Sequence, residues 1–489
     1  MTHRLTRHTM KQFQEKIPFD DLPANFRDAI IVTRELGIRY IWIDSLCILQ
    51  DSTEDWDAEA KNMGRYYSYS TLTILAQTSE GSTQGFLKPP VVPKKFNPVK
   101  LHIDSGDNDE RQVTVEWLPY GREDLLMLRR ESVLAKRGWT LQEDLLSPRK
   151  LHYGKHQIQW KCCETMKSAE DVPSQDPRQS FHMYLPLEFN VLSSVLQGGL
   201  LPKPQRRPVD IEEMLTEYYD LLKLYSMRAF EMKKDRLPAF SGLAQRIHKY
   251  LEGDYIAGLW SCDFQRNLDW NTRRDHANFD FDFDYEYERC GLRTPKIVHE
   301  NCPPSWSWAA ANQPISFHRF PTNPYDPYGL ELLDYRMSYS DPSNPYGIVK
   351  AGHLLVRGYT MPVVERTEAY VNKIGSIYFD DPKKGQDGDD HIVKVPIYPV
   401  IGIFGRSTKL VLAVEEVSES ESKRKDSDTL PLQEHLVLLI RAGPFGGHCL
   451  LLRKKDENEE QFERIGHVEF GFDLFPEIEE WTKRDLKLV

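Results

Sequence analysis

Between residues 25 and 76 the hydrophobic period of the sequence switches repeatedly, and that alternation limits the fold more than any other feature. NFRDAIIVTRELG (25–37) puts Phe26, Ala29, Ile30, Thr33 and Leu36 on one helical face, and Gly37 stands where a left-handed cap stops a helix. IRYIWID (38–44) is a short apolar run rich in β-branched and aromatic residues, the pattern of a strand buried on both faces and ending at Asp44. SLCILQDSTED then reads as a loop, with Ser52 and Asp55 spaced as a capping box. A second helix is expected from about Asp55 to Tyr67, with Trp56, Glu59, Ala60, Met63 and Tyr67 sharing a face, and Thr71–Ala76 reads as the next strand. Helix, strand, helix, strand with short connections is the pattern of an α/β domain with a parallel sheet. Ligands of such sheets sit outside the carboxyl ends of the strands, here Asp44 to Asp51 and the start of the following helix.

The 489 residues allow two or three domains at about 150 residues each. The division expected is 1–165 for the α/β domain, 166–345 for a helical and mixed connector region, and 346–489 for a β-rich region. Block 137–164 predicts a short helix and two strands. Residues 88–132 are mixed, with a proline-rich turn and a hairpin. Residues 168–210 are rich in Pro, Ser and Gln, and helical patterns resume from about 210 to 251. From about 348, short apolar runs alternate with turns, and His435–Leu452, broken by Arg441 and Gly443-Pro444, reads as two strands. FDFDFDYEYE (279–288) reads as an edge strand or ordered loop, and EEVSESESKRKDSD (415–428) as a solvated charged loop.

The formal charge of −11 argues against a general nucleic-acid binder, which needs a basic face to displace counterions. Seven cysteines, odd in number and irregular in spacing, fit reduced thiols in a cytoplasmic protein better than a disulfide framework. The N-terminus has no apolar core of a secretory signal, and no apolar run reaches the roughly 18 residues of a membrane span. Cys162-Cys163 with His152 and His156 fits no standard zinc spacing, so no metal site is expected.

Three blocks resemble the fungal heterokaryon incompatibility (HET) family. Residues 22–86 are similar to its long middle block almost throughout: the Asp-Ala-Ile helix, YIWIDSLCI, the Gln-Asp, and the Asp-Trp followed by Glu and Met. Arg137-Gly138-Trp139-Thr140-Leu141-Gln142-Glu143 is similar to the closing block, and DYIAGLW (254–260) and PPSWSWAAANQPISF (303–317) resemble segments common further along such proteins. A HET domain normally opens with a strand and loop like Tyr-x-x-Leu-Ser-Tyr-x-Trp-Gly, which nothing before Leu22 resembles. The resemblance therefore implies a domain truncated at its start, with a flavodoxin/TIR-like sheet lacking its first strand. It further implies an intracellular factor of non-self recognition and programmed cell death.

Some TIR domains cleave NAD+ with a glutamate in a Trp-x-x-Glu helix, and Trp56-Asp57-Ala58-Glu59 stands in a comparable place. On that analogy Glu59 is the catalytic candidate, a carboxylate that stabilises an oxocarbenium-like centre, with Trp56 flanking a base or nicotinamide. The alternative is a glutamate at a helix start, favoured by the dipole or paired with Lys61 or Arg65. Asp44 is a substrate-binding candidate or a turn carboxylate. Arg137, Gln142 and Glu143 would bind a phosphate or orient Glu59, or else belong to a structural block. Cys47, with no histidine near it in sequence, reads as a core thiol. Both tryptophans of PSWSWA suit one face of a strand. No cofactor is implied; NAD+ would enter as substrate. Two further readings stand beside the enzyme: an adaptor that signals by self-association or through another incompatibility protein, and a degenerate truncated paralogue.

Overall fold

The computed structural model describes, with short breaks, residues 4–87, 99–104, 110–115, 125–169, 190–196, 209–272, 302–318, 328–365, 375–379, 395–401, 406–412, 435–471 and 478–489. The chain divides into two compact units, Met1–Arg206 and Arg207–Val489. The runs 279–288 and 415–428 lie outside the described residues, as does much of 168–210.

The first unit begins with α1 (Met10–Glu15) and α2 (Ala24–Glu35). α2 ends as its sequence demands. Gly37 takes φ +67°, its N–H bonds the Arg34 carbonyl at 2.9 Å, and the Ile38 N–H bonds the Thr33 carbonyl at 3.0 Å. That pair of bonds is a Schellman cap, which a left-handed glycine makes cheap. α3 (Asp44–Cys47) is a single turn. α4 (Thr53–Tyr69) starts on Ser52, whose Oγ accepts from the Asp55 N–H at 3.3 Å, while the Asp55 carboxylate turns back to the Leu49 N–H at 2.8 Å. β1 (Thr73–Ala76), the hairpin β2 (Val99–Asp104) and β3 (Glu110–Val115), α5 (Val133–Lys136) and α6 (Thr140–Leu146) follow. Then come β4 (Arg149–Tyr153), β5 (Ile158–Cys162), β6 (Met166–Ser168) and α7 (Asn190–Leu196).

The sheet runs β1-β4-β5-β6. β1 pairs β4 in parallel, and the β4–β5 and β5–β6 pairs are antiparallel, so the sheet is mixed rather than all parallel. The run 38–44 is not the strand its apolar pattern predicts. Residues 38–43 carry no ladder among the described residues, and Asp44 opens a helix instead of closing a strand. A strand exists only through its ladder bonds. Without them Tyr40 is 77% exposed.

The floor of the sheet is polar and buried. Asp144 lies between Arg129 and Lys150, with the Lys150 ammonium 3.1 Å from its carboxylate. The two cations hold Asp144 ionised, well below the usual carboxylate range, against the opposing effect of burial. Nearby, His152 Nδ1 accepts from the Gln77 amide at 2.9 Å. Burial, with cations close by, pushes this imidazole down to about 3.

The second unit opens with α8 (Ile211–Ser226), α9 (Ser241–Ile247), the short hairpin β7 (Tyr255–Ile256) and β8 (Leu259–Trp260), α10 (Phe264–Leu268), β9 (Trp270–Asn271) and β10 (Ser316–Phe317). Its core is aromatic: Trp260, Trp270, Trp306, Trp308, Tyr218, Tyr225 and Phe240 are fully buried. Trp306 and Trp308 lie on a turn that leads into a 3-10 segment, not on a strand. They reach the core because this turn wraps the β7–β8 hairpin. At its tip Ala257 and Gly258 both take positive φ (45° and 99°), as a two-residue hairpin of this hand requires. The Gly258 carbonyl accepts from Trp308 Nε1 at 2.9 Å, and the Ala257 carbonyl from Ser307 Oγ at 2.7 Å.

The rest is β, as the alternating runs predict: β11 (Glu331–Tyr339), β12 (Val349–Glu365), β13 (Gly375–Phe379), β14 (Val395–Ile401), β15 (Arg406–Leu412), β16 (His435–Gly443), β17 (Gly446–Asp456), β18 (Glu459–Gly471) and β19 (Thr482–Leu488). β12 pairs β15 on one side and β16 on the other, so the order β12-β15-β14-β13-β18-β17-β16 closes on itself, with β11 and β19 on the first half of β12. Met361, Val437, Leu439, Cys449, Leu451, Val468 and Trp481 form one apolar cluster against it. Arg464, buried, lies 3.3 Å above the Trp270 ring and donates to the carbonyls of Leu268 and Trp270.

Candidate functional site

The sequence candidates gather along one side of α4. Glu59 and Tyr66 are two turns apart, hence on one face, and the Tyr66 hydroxyl donates to the Glu59 carboxylate at 2.7 Å. Burial, then the bond to Glu59 and its charge, raise Tyr66 to about 12, so it stays a donor at any physiological pH. The Trp42 ring lies against Tyr66 (5.3 Å between centroids) and edge-on to Tyr67 (5.8 Å).

Tyr67 is the second anchor. Its hydroxyl hydrogen-bonds Glu143, and Asp44 and Arg137 are near enough to act on its charge. Burial raises this phenol well above its ordinary value, the carboxylates of Glu143 and Asp44 raise it further, and Arg137 opposes them. α6 packs along α4, and this brings the indoles of Trp56 and Trp139 edge to face at 5.7 Å.

Glu59 is thus tied to Tyr66 and Glu143 to Tyr67, with Asp44 and Arg137 near Tyr67, and the Trp42 ring touches both tyrosines. Asp44 and Arg137 are exposed, whereas Glu59, Trp56 and Glu143 are partly covered. Asp44 Oδ1 also accepts from its neighbour's N–H, Ser45, at 2.6 Å, a helix-start bond. Gln142 is set apart. It is fully buried, and neither atom of its amide has a hydrogen-bond partner among the described residues.

The loop before α4 is fixed rather than reactive. Asp51 accepts from the Arg7 N–H at 3.0 and 3.1 Å, the Gln50 amide donates to the Ile48 carbonyl at 3.1 Å, and the Gln50 N–H bonds the Leu5 carbonyl. Cys47 is exposed and not the core thiol its sequence suggests, yet desolvation of the sulfur raises the thiol, and the charges of Asp44 and Glu59 add to that. A thiol held up in this way is a poor nucleophile.

Sequence reasoning passed over Trp42, Tyr66 and the role of Tyr67. The i, i+7 spacing of Glu59 and Tyr66 was a readable signal. The Tyr67–Glu143 bond joins residues 76 positions apart, and only the α4–α6 packing reveals it. A second polar centre, in the other unit, was missed altogether: Asp269, His318, His448 and His467 each offer a ligand atom, all within 4.8 Å of one another.

Residues 2–143 match the family described as heterokaryon incompatibility protein (HET). The residues of the α4 site, from Asp44 to Glu143, lie within this stretch, so residues 2–143 form a HET domain, and that domain is what ties the chain to heterokaryon incompatibility. No curated protein and no solved structure matches the chain. No helix among the described residues is long and apolar enough to cross a membrane.

Proposed function

We propose that the HET domain cleaves the nicotinamide–ribose bond of NAD+ with Glu59 as its central carboxylate, and that this activity drives cell death in fungal incompatibility. The observation that carries the reading is the Tyr66–Glu59 bond of 2.7 Å beside an indole pair. A carboxylate clamped by a neutral phenol keeps one orientation, which is what stabilising a developing oxocarbenium centre requires. Trp56 would flank the nicotinamide or the base. Arg137, which is exposed, would supply the charge a pyrophosphate needs, and Asp44 and Glu143 would bind ribose hydroxyls.

One observation supports a different class of function. Ile31, Leu36, Tyr40 and Ile41 are exposed within eleven residues, next to backbone without a ladder. An adaptor would use such a stretch to self-associate by strand addition. The test is inducible expression in a fungal host, with protein levels matched. Death that Glu59→Ala abolishes and Tyr40→Lys spares supports the enzyme. Death that survives Glu59→Ala and is lost in Tyr40→Lys would replace it with the adaptor.

A further inference from the structure

Asp269 closes α10. His318 follows β10. His448 lies on β17 and His467 on β18. Strand alternation sends His448, His467 and Glu469 to the face opposite Cys449 and Val468, which belong to the apolar cluster, and there they meet the α10–β9 corner. His467 Nε2 is 2.8 Å from Asp269 Oδ1, and His448 Nδ1 is 3.1 Å from the same oxygen. The His318 and His448 rings are 4.2 Å apart, centre to centre.

A salt bridge alone does not account for this convergence. Arg441 already meets Asp269 Oδ2 at 2.9 Å, which balances the one buried carboxylate without help from three imidazoles. Burying three imidazoles on a paired carboxylate costs desolvation that they do not recover among themselves. His467 is fully buried, and its Nδ1 has no hydrogen-bond partner among the described residues, with a Glu469 carboxylate oxygen at 3.9 Å. Glu469 also reaches His318 Nε2 at 3.1 Å. A carboxylate behind an imidazole whose other nitrogen faces a shared centre is the usual outer arrangement of a metal-binding histidine.

We infer that Asp269, His318, His448 and His467 form a four-ligand site for a zinc-class divalent ion, with Glu469 orienting the histidines and Arg441 the aspartate. Three imidazole nitrogens and one carboxylate oxygen are a donor set that zinc takes readily. Tetrahedral bonds of about 2.0–2.1 Å separate ligand atoms by about 3.3 Å, and spacings of 2.8 to 4.8 Å reach that by small side-chain rotations. Four protein ligands make the site closed, so the ion would pin the sheet face of β17 and β18 to the α10–β10 segment rather than perform chemistry. His318 and His448, each a little under one-fifth exposed, leave an entry path.

The experiment uses the full chain, stripped with a chelator and titrated with Zn2+ alone, then with Co2+. The expected result is one Zn2+ per chain, a rise in Tm on addition, and the intense visible bands of tetrahedral Co2+. His448→Gln and His318→Gln replace the partly exposed ligands. With an unchanged circular dichroism spectrum, each should lose stoichiometric binding, and Glu469→Gln should bind about 10- to 100-fold more weakly. Wild type that takes up no Zn2+ at equivalence would overturn the proposal in favour of a buried charge network. Binding that persists unchanged in both glutamine variants would overturn it too, by placing the ion elsewhere.

Discussion

The two units set their most telling polar atoms in different places. In the HET unit the charged groups Asp44, Glu59, Arg137 and Glu143 stand at or near the surface around α4, tied by two tyrosines and backed by two indoles. Val32, Phe86 and Tyr153 form one apolar cluster of that unit. In the second unit four tryptophans are fully enclosed, and buried cations such as Arg464 and Arg236 spend their N–H groups on main-chain carbonyls. A surface that holds charged groups in fixed orientations beside aromatic rings is suited to a ligand. A core that encloses cations against its own main-chain carbonyls is suited to a scaffold. The chemistry proposed above belongs to the first unit, and the buried aromatic core to the second.

The sharpest way to break that comparison is to truncate a tryptophan in each. Trp308→Ala removes a fully buried indole and its bond to the Gly258 carbonyl, and should cost about 3–5 kcal/mol in urea unfolding. Trp56→Ala, at a half-covered surface, should cost about 1 kcal/mol. Equal losses would mean that the α4 indole pair is core and not a binding surface.

Acid should affect the HET unit through His152 and Asp144. Folded His152 titrates at about 3 against an ordinary 6.5, so between those values the unfolded chain holds a proton that the folded chain refuses. Stability contributed by this residue is therefore full above pH 6.5 and falls as pH drops toward 3. Asp144, depressed by Arg129 and Lys150, adds a loss in the same direction below 3.8. His152→Asn, which keeps an acceptor for Gln77, should flatten the slope of Tm against pH between 6.5 and 3. An unaltered slope would assign the acid sensitivity to other groups.

The smallest effect concerns Gln142. If its amide is simply sealed in, Gln142→Leu removes two unpaired polar atoms and should stabilise the unit by about 1 kcal/mol. A loss of stability, or a loss of NAD+ turnover in a stabilised protein, would move Gln142 into the site.

Much of this was legible in local sequence. Gly37 marked the end of α2, Ser52 and Asp55 marked the start of α4, and Thr73–Ala76, the strands after α6 and the β-rich last third follow from period and turn residues alone. The misreadings share one cause. IRYIWID has the composition of a buried strand, but strandness depends on a partner that composition does not supply. PSWSWA has a strand's spacing, but Ser307 and Trp308 are held by the carbonyls of Ala257 and Gly258, in a hairpin some fifty residues away. Of the site, the residue types were readable and their tyrosine anchors were not. The histidine cluster was invisible, since 269, 318, 448 and 467 meet only when β17 and β18 pair.

The most direct test of the account is nicotinamide release from NAD+ by the purified full chain, alone and under crowding, beside Glu59→Ala and Tyr66→Phe. The account predicts release by wild type, none by Glu59→Ala, and a reduced rate in Tyr66→Phe, in which the carboxylate is kept but unclamped. Release that continues undiminished in Glu59→Ala would contradict it, as would a folded wild-type protein that releases none.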